Sequence, residues 1–153
     1  FSTATRTEND TIQRLAYAGL AGGFGKVSFG NQWTPYYNTV GSPSDLFAST
    51  GLANYGSRGA TAPFRSNESA LIYALPKLGI VSGALVFIPN GQFGGIESDA
   101  VSAGLTIAAG PVNIGLGYNK VDVEDDSRLG LSVGGQFGPV GATFMVEDDG
   151  RGI

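Results

Sequence analysis

Residues 128–137 read Arg-Leu-Gly-Leu-Ser-Val-Gly-Gly-Gln-Phe, and this stretch decides the fold. Apolar side chains alternate in it with polar or small ones, which is the pattern of a β-strand with two different faces. One face carries Leu129, Leu131, Val133 and Phe137, and the other carries Arg128, Ser132, Gly134 and Gln136.

The same alternation recurs along the chain. It predicts further strands near residues 14–18, 26–32, 69–75, 80–88, 101–109, 112–118 and 142–146. In residues 69–75 and 80–88 both faces are apolar, so the orientation of these two strands stays open. The total is eight strands, most of them about 7–11 residues long, close to the length that crosses a bilayer when a strand is tilted.

The connections between these strands alternate in kind. Tight connections without acidic residues lie near 22–25, 76–79, 110–111 and 138–140. Longer connections lie at 33–66, 90–98, 122–127 and from 147 onward, and the last three hold clusters of Asp and Glu. Since alternate connections of a meander lie at opposite ends, the sequence predicts one smooth end and one long, acidic end. This is typical of an all-β, antiparallel, up-and-down transmembrane β-barrel.

The composition narrows the range of functions. The chain of 153 residues has 25 Gly, and only 14% of its residues are charged, below the usual quarter. It has no Cys and no His, which excludes disulfides, thiolate metal sites and the commonest general base. The net charge of −4 argues against nucleic acid as a partner. We therefore expect a protein that is not an enzyme and has no cofactor.

The chain ends suggest a fragment of a longer protein, and residues 1–153 are interpreted as one partial barrel domain. Residues 1–10 are polar and are interpreted as a loop, and the last residues also have the composition of a loop. Residues 1–25 lack the pattern of a signal peptide. No apolar run reaches the roughly 18 residues of a transmembrane helix.

Residues 33–66 form the longest segment without a strand or helix pattern. A segment of more than about 15 such residues in a compact domain is either functional or a sign that an element has been missed. We predict that it folds into the bore of the barrel and sets the size and charge of a pore. Asp45 is its only acidic residue. Asp45 is interpreted as a lumen carboxylate, although a turn-forming Asp in Ser-Pro-Ser-Asp is the ordinary alternative.

Arginines supply the opposite charge. Alternation places Arg14 on the opposite face of its strand from Leu15 and Tyr17. A charge that faces lipid costs about 2–4 kcal/mol at mid-bilayer. Arg14 is therefore predicted to face the lumen. Arg58 and Arg65 near the end of the long segment complete the predicted constriction with Asp45, although both also fit ordinary loop positions. Opposed charges across a narrow aqueous path are one way in which pores select ions.

Two other motifs carry less weight. Asp122, Glu124 and Asp126 lie at alternate positions, but an EF-hand also needs a central Gly and a Glu at position 12. A solvated acidic loop is the favoured interpretation. The Gly-Lys pair at 25–26 is followed by Val and joins two strands, so it is not a phosphate-binding loop.

Five stretches, which cover three consecutive parts of the family pattern, resemble Gram-negative general porins. Arg14-Leu-Ala-Tyr-Ala-Gly-Leu, Gly25-Lys-Val-Ser-Phe-Gly-Asn-Gln and Pro35-Tyr-Tyr resemble the strand–turn–strand before the constriction loop of that family. Ser44-Asp-Leu-Phe resembles the acidic part of the loop, and Arg65-Ser-Asn-Glu-Ser-Ala-Leu-Ile-Tyr resembles the strand that follows it.

The resemblance implies a sixteen-stranded homotrimeric channel in the cell outer membrane, in contact with membrane lipid and lipopolysaccharide. Arg14 and Arg65 would belong to its basic wall and Asp45 to its acidic loop. The family's loop often carries more than one acid, whereas Asp45 is alone here. The single acid weakens the expected cation preference. A further wall arginine would lie upstream of residue 1.

The resulting hypothesis is a porin for passive diffusion of ions and small polar solutes. Three alternatives stay open at this stage. They are a substrate-specific channel for sugars or phosphate, a soluble β-sandwich or lipocalin-like binding module, and an outer-membrane adhesin with a plugged barrel.

Overall fold

The computed structural model describes residues 2–6, 10–44, 66–93, 96–122 and 126–148. Within these ranges nine strands form one antiparallel sheet, in which every strand pairs with its neighbours in the sequence. The strands are β1 (Ser2–Arg6), β2 (Asp10–Gly22), β3 (Gly25–Trp33), β4 (Ser66–Ala74), β5 (Val81–Phe93), β6 (Ile96–Ala109), β7 (Val112–Val121), β8 (Asp126–Phe137) and β9 (Val140–Asp148). The predicted all-β, up-and-down order is confirmed. Among the described strands, β1 and β9 each have one neighbour, so this sheet is open.

Strand β1 corrects the interpretation of residues 1–10 as a loop. It pairs antiparallel with the start of β2, with Thr3 opposite Gln13 and Arg6 opposite Asp10. Its Ser and Thr side chains give no apolar alternation, so the pattern that marks the other strands is missing. β-Branched Thr nevertheless favours extended backbone, and β2 offers the hydrogen-bonding partner.

The sequence Gly-Pro-Val occurs twice, at residues 110–112 and 138–140, and each time it forms a tight turn. The pairs Ala109–Val112 and Phe137–Val140 close two-residue turns made of Gly-Pro. Gly110 and Gly138 both have φ of 61°. A positive φ followed by the fixed negative φ of proline gives a type II′ turn, whose twist matches that of a hairpin.

At the acidic end, more residues belong to β-strands than the sequence predicted. Strand β5 extends to Phe93 and β6 begins at Ile96, so most of the expected loop 90–98 is paired sheet. The register shifts between Ile88 and Gly91. At this irregularity Asn90 has a positive φ, and its backbone N–H donates to Asp99 Oδ1 over 2.9 Å. The acids of this connection therefore lie largely on β6.

The two faces of the sheet differ in chemistry. The outer face exposes large apolar side chains, with Leu129 at 60% and Phe144 at 63% exposure. We call the opposite side the loop face, and it carries Ser102, Gly104, Gly115, Gly117, Gly130 and Ser132. The alternation predicted for residues 112–118 and 128–137 is confirmed by these positions. Among the helices within the described ranges, none is long and apolar enough to span a membrane.

Strands β4 and β5 are apolar on both sides for a structural reason. On the loop face, β4 and β5 bury side chains in one apolar cluster, to which β6 and β7 each add one residue. Its members are Ala70, Ile72, Val86, Ile88, Ala100 and Val121. This cluster settles the orientation that the sequence left open.

The register of β2 corrects the face predicted for Tyr17. Ala18 pairs with Phe29 and Leu20 pairs with Val27, and both partners belong to the outer face. Tyr17 therefore lies on the loop face, where the Nζ atom of Lys26 is 5.0 Å from its ring centroid. The small side chains beside Tyr17 gave no sign of which face they occupy, so alternation alone chose the wrong one.

Candidate functional site

A helical segment crosses the loop face directly after β3. It consists of residues 35–44, which we call the loop helix, and contains a π-helical turn (Tyr37–Gly41) and a short α-helix (Ser42–Ser44). Thr34 starts the segment, because its side-chain oxygen accepts a hydrogen bond from the Tyr37 backbone N–H over 3.2 Å. The expectation that residues 33–66 lack secondary structure is wrong for this part.

The local sequence allows this helix but does not favour it. Proline is tolerated in a first helical turn, as at Pro35. Tyr, Asn, Thr and Val, however, are weak helix formers. Contacts with the sheet must therefore supply much of the stabilisation.

Three glycines on neighbouring strands form the seat of the loop helix. Gly104, Gly117 and Gly130 lie side by side on β6, β7 and β8, and we call them the glycine row. A Cβ atom on Gly117 would lie 2.8 Å from both Tyr36 Cδ2 and Val40 Cγ2. Tyr36 and Val40 are fully buried. The missing Cβ atoms thus create the space that these two side chains occupy.

Glycines also let the backbone of the loop helix lie close to the sheet. A Cβ atom on Gly104 would lie 2.6 Å from the carbonyl oxygen of Pro35. A Cβ atom on Gly115 would overlap the carbonyl oxygen of Thr39. Because backbone atoms cannot swing aside as a side chain can, glycine is required at both positions for this packing.

Serines flank the glycine row and fix the register of the loop helix. The Tyr36 backbone N–H donates to Ser102 Oγ over 3.1 Å, and Ser132 Oγ donates to the Thr39 carbonyl over 2.6 Å. At the end of the helix, the Ser44 hydroxyl contacts Met145 Sδ at 3.1 Å. The segment is therefore held at its beginning, middle and end by β6, β8 and β9.

A largely buried ion pair lies beside the seat. Arg128 Nη1 and Glu147 Oε1 are 3.4 Å apart, with side-chain exposures of 7% and 11%. Glu147 pairs across the strands with Gly130 of the glycine row. In the part of the chain that the structure describes, no group of three or more His, Cys, Asp or Glu side chains comes together as a metal site.

The predicted constriction residues stay predictions. Asp45, Arg58 and Arg65 lie outside the described residues. Arg14 belongs to β2 at a register irregularity, where Leu15 pairs with Ser2 and Gln13 pairs with Thr3. Alternation does not carry through such a bulge, so the argument that placed Arg14 in the lumen from Leu15 and Tyr17 no longer fixes its face.

The glycine row was not identified from the sequence, although a signal was present. A two-residue turn at Gly110-Pro111 pairs residues symmetrically about it, which places Gly104 opposite Gly117. The next hairpin then places Gly130 beside Gly117. Three small residues in one row on the less apolar face indicate a close approach of another backbone.

Comparison with known proteins adds one match. The family model of the Gram-negative porins matches residues 1–152. No curated protein matches the chain.

Proposed function

The chain belongs to the Gram-negative porin family, and on that premise we propose that it contributes to an outer-membrane channel through which ions and small hydrophilic solutes diffuse passively. The observation that carries this proposal is the seat of the loop helix. The sheet exposes apolar side chains on one face and packs the loop helix against small residues on the other. A barrel wall between lipid and a partly filled lumen needs this division.

We propose that charge selection occurs just beyond the loop helix. Asp45 follows Ser44, the residue whose hydroxyl contacts β9. An acid that follows an anchored segment suits a fixed position in a pore, and Arg14, Arg58 and Arg65 are the proposed cations of the opposing wall. Charges opposed in this way bias ion passage. Solutes cross unchanged, so the proposal includes no bond-making or bond-breaking step.

The assembly is also part of the proposal. A homotrimer in contact with outer-membrane lipid and lipopolysaccharide agrees with the family and with the apolar outer face. General diffusion is preferred to phosphate-specific transport, because the described part of the loop helix, residues 35–44, has no Lys or Arg to hold an anion.

Conductance of the full-length protein in planar bilayers tests the function. A water-filled pore gives a conductance that rises with the conductivity of the bulk salt solution. A protein that stays monomeric and soluble without detergent, or that inserts without conducting, would contradict the proposal. A soluble monomer would favour a soluble binding module, and a protein that inserts without conducting would favour an adhesin.

Reversal potential in a salt gradient tests Asp45. Asp45→Asn should shift selectivity toward anions, because it removes the acid of the proposed constriction. Asp122→Asn, which removes the same charge at an exposed turn, is the matched control and should leave selectivity close to wild type. Equal reversal potentials for wild type and Asp45→Asn would remove Asp45 from the constriction.

A further inference from the structure

A recess lies between the loop helix and strands β6 to β9, on the side of the tight turns. Its volume is about 420 Å³, within the roughly 300–1,000 Å³ of small-molecule sites. Polar side chains that line it include Asn38, Thr106, Asn113, Gln136 and Thr143. None of the described residues that line it is Asp, Glu, Lys or Arg. We call it the amide recess.

Its hydrogen-bonding groups remain available to a ligand. The side chains of Asn38 and Asn113 are exposed and have no hydrogen-bond partner among the described residues. Each carboxamide offers two donor hydrogens and one acceptor oxygen. Gln136 Nε2 donates to the Gly138 carbonyl over 3.0 Å, which holds this third amide in place.

Cross-strand pairing sets the shape of the recess. Asn113 on β7 and Thr143 on β9 lie on either side of Gly134 on β8. Two strand spacings separate the outer backbones, about 9–10 Å. A Cβ atom on Gly134 would lie 2.9 Å from Thr143 Oγ1, so the hydroxyl leans over the glycine. Amide and hydroxyl thus face a shared space above a flat floor.

We propose that the amide recess is a binding subsite for an uncharged polyhydroxylated solute of the size of a monosaccharide. This proposal rests on the proposed channel function, and names a solute class for it. Sugar hydroxyls donate and accept hydrogen bonds, as carboxamides and threonine hydroxyls do. A phosphate or carboxylate would instead call for Arg or Lys, which the described lining lacks.

The location gives the subsite a role in transport. Thr39 and Ser132, whose hydrogen bond holds the loop helix, also line the recess. A solute that passes the loop helix therefore meets the amide recess next, on the side of the tight turns. Neutral sugars are held briefly there, and small ions are not.

Ion current through the full-length channel in planar bilayers tests the subsite, with glucose and gluconate as probes. Glucose should reduce the current saturably, and gluconate at the same concentrations should not. Asn113→Leu should raise the half-blocking glucose concentration by about threefold to tenfold, the range expected for one lost hydrogen bond. Thr143→Val provides a second variant, since it removes a hydroxyl and keeps the shape.

Ser82→Ala is the matched control. Ser82 is an exposed residue that pairs with Thr106 but does not line the recess, so its half-blocking concentration should stay at the wild-type value. A conducting channel without saturable block by glucose would overturn the subsite and leave the porin proposal standing. Equal block by glucose and gluconate, or equal effects of Asn113→Leu and Ser82→Ala, would also overturn it. A protein without any conductance would overturn the channel proposal itself.

Discussion

Replacing Gly115 by Ala should dislodge the loop helix from its seat. The backbone of Gly115 lies outside the left-handed region, so Ala fits the strand and the effect comes from the added methyl group alone. That group would overlap the Thr39 carbonyl oxygen and lie 2.5 Å from Ser132 Oγ. Ordinary contacts begin at 3.4 Å, so Ser132 Oγ would have to move by about 0.9 Å and the Thr39 carbonyl oxygen by more.

The expected cost follows from these contacts. Overpacking of a tight site costs about 1–3 kcal/mol. The 2.6 Å hydrogen bond from Ser132 to Thr39 also lies at this point, and its loss adds about 0.5–1.5 kcal/mol. Because the two effects share atoms and are not independent, we expect about 2–4 kcal/mol against the docked position. This corresponds to roughly 30-fold to 1,000-fold in the docking equilibrium.

Single-channel recording and thermal denaturation of the full-length protein measure the result. Gly115→Ala should change the conductance level or add current fluctuations, while the barrel keeps its strand content by circular dichroism. Gly23→Ala is the control, because a Cβ atom there would meet nothing within 4 Å. If Gly115→Ala matches Gly23→Ala in conductance, noise and melting temperature, the close contact between Gly115 and the loop helix does not control the conductance.

Three further changes test other parts of the structure. Gly138→Ala should lower the free energy of unfolding by about 1–2 kcal/mol, because the residue has φ of 61° with open space around it; equal urea midpoints for variant and wild type would contradict this. Glu147→Gln should destabilise by about 2–4 kcal/mol, somewhat less than for a fully buried ion pair, because Glu147 keeps some exposure, and the double variant Arg128→Met/Glu147→Leu should be more stable than Glu147→Gln in the same urea titration. Arg14→Ala should raise conductance or weaken ion bias if Arg14 lines the constriction, and an unchanged single-channel current would exclude it.

The sequence predicted the sheet well where the two faces differ in chemistry. In β8, Leu129 and Leu131 contrast with Ser132 and Gly134, so face and register follow from alternation and the turn. In β4 the contrast is missing, because Ile72 is buried on the loop face while Leu71 is exposed on the outer face. Side-chain polarity then carries no information on orientation, and only pairing with neighbours decides it.

The loop helix shows why the site was harder to predict than the fold. Its own residues are weak helix formers, and its stability comes from contacts such as Thr39 with Ser132, which are 93 positions apart. Local patterns cannot reveal such pairs unless the register of three strands is already known. Asp45, Arg58 and Arg65 lie outside the described residues, so the charge arrangement remains a prediction of the sequence.

The seat also implies an order of assembly. Hairpins close over few residues, whereas the contacts of Tyr36 with Ser102 and of Thr39 with Ser132 span 66 and 93 positions. Closing longer loops costs more chain entropy and delays long-range contacts. Since the glycine row exists only after β6, β7 and β8 have paired, the loop helix can dock only late in folding. We therefore expect the wall of the proposed passage to form first, and the loop helix to narrow it afterwards.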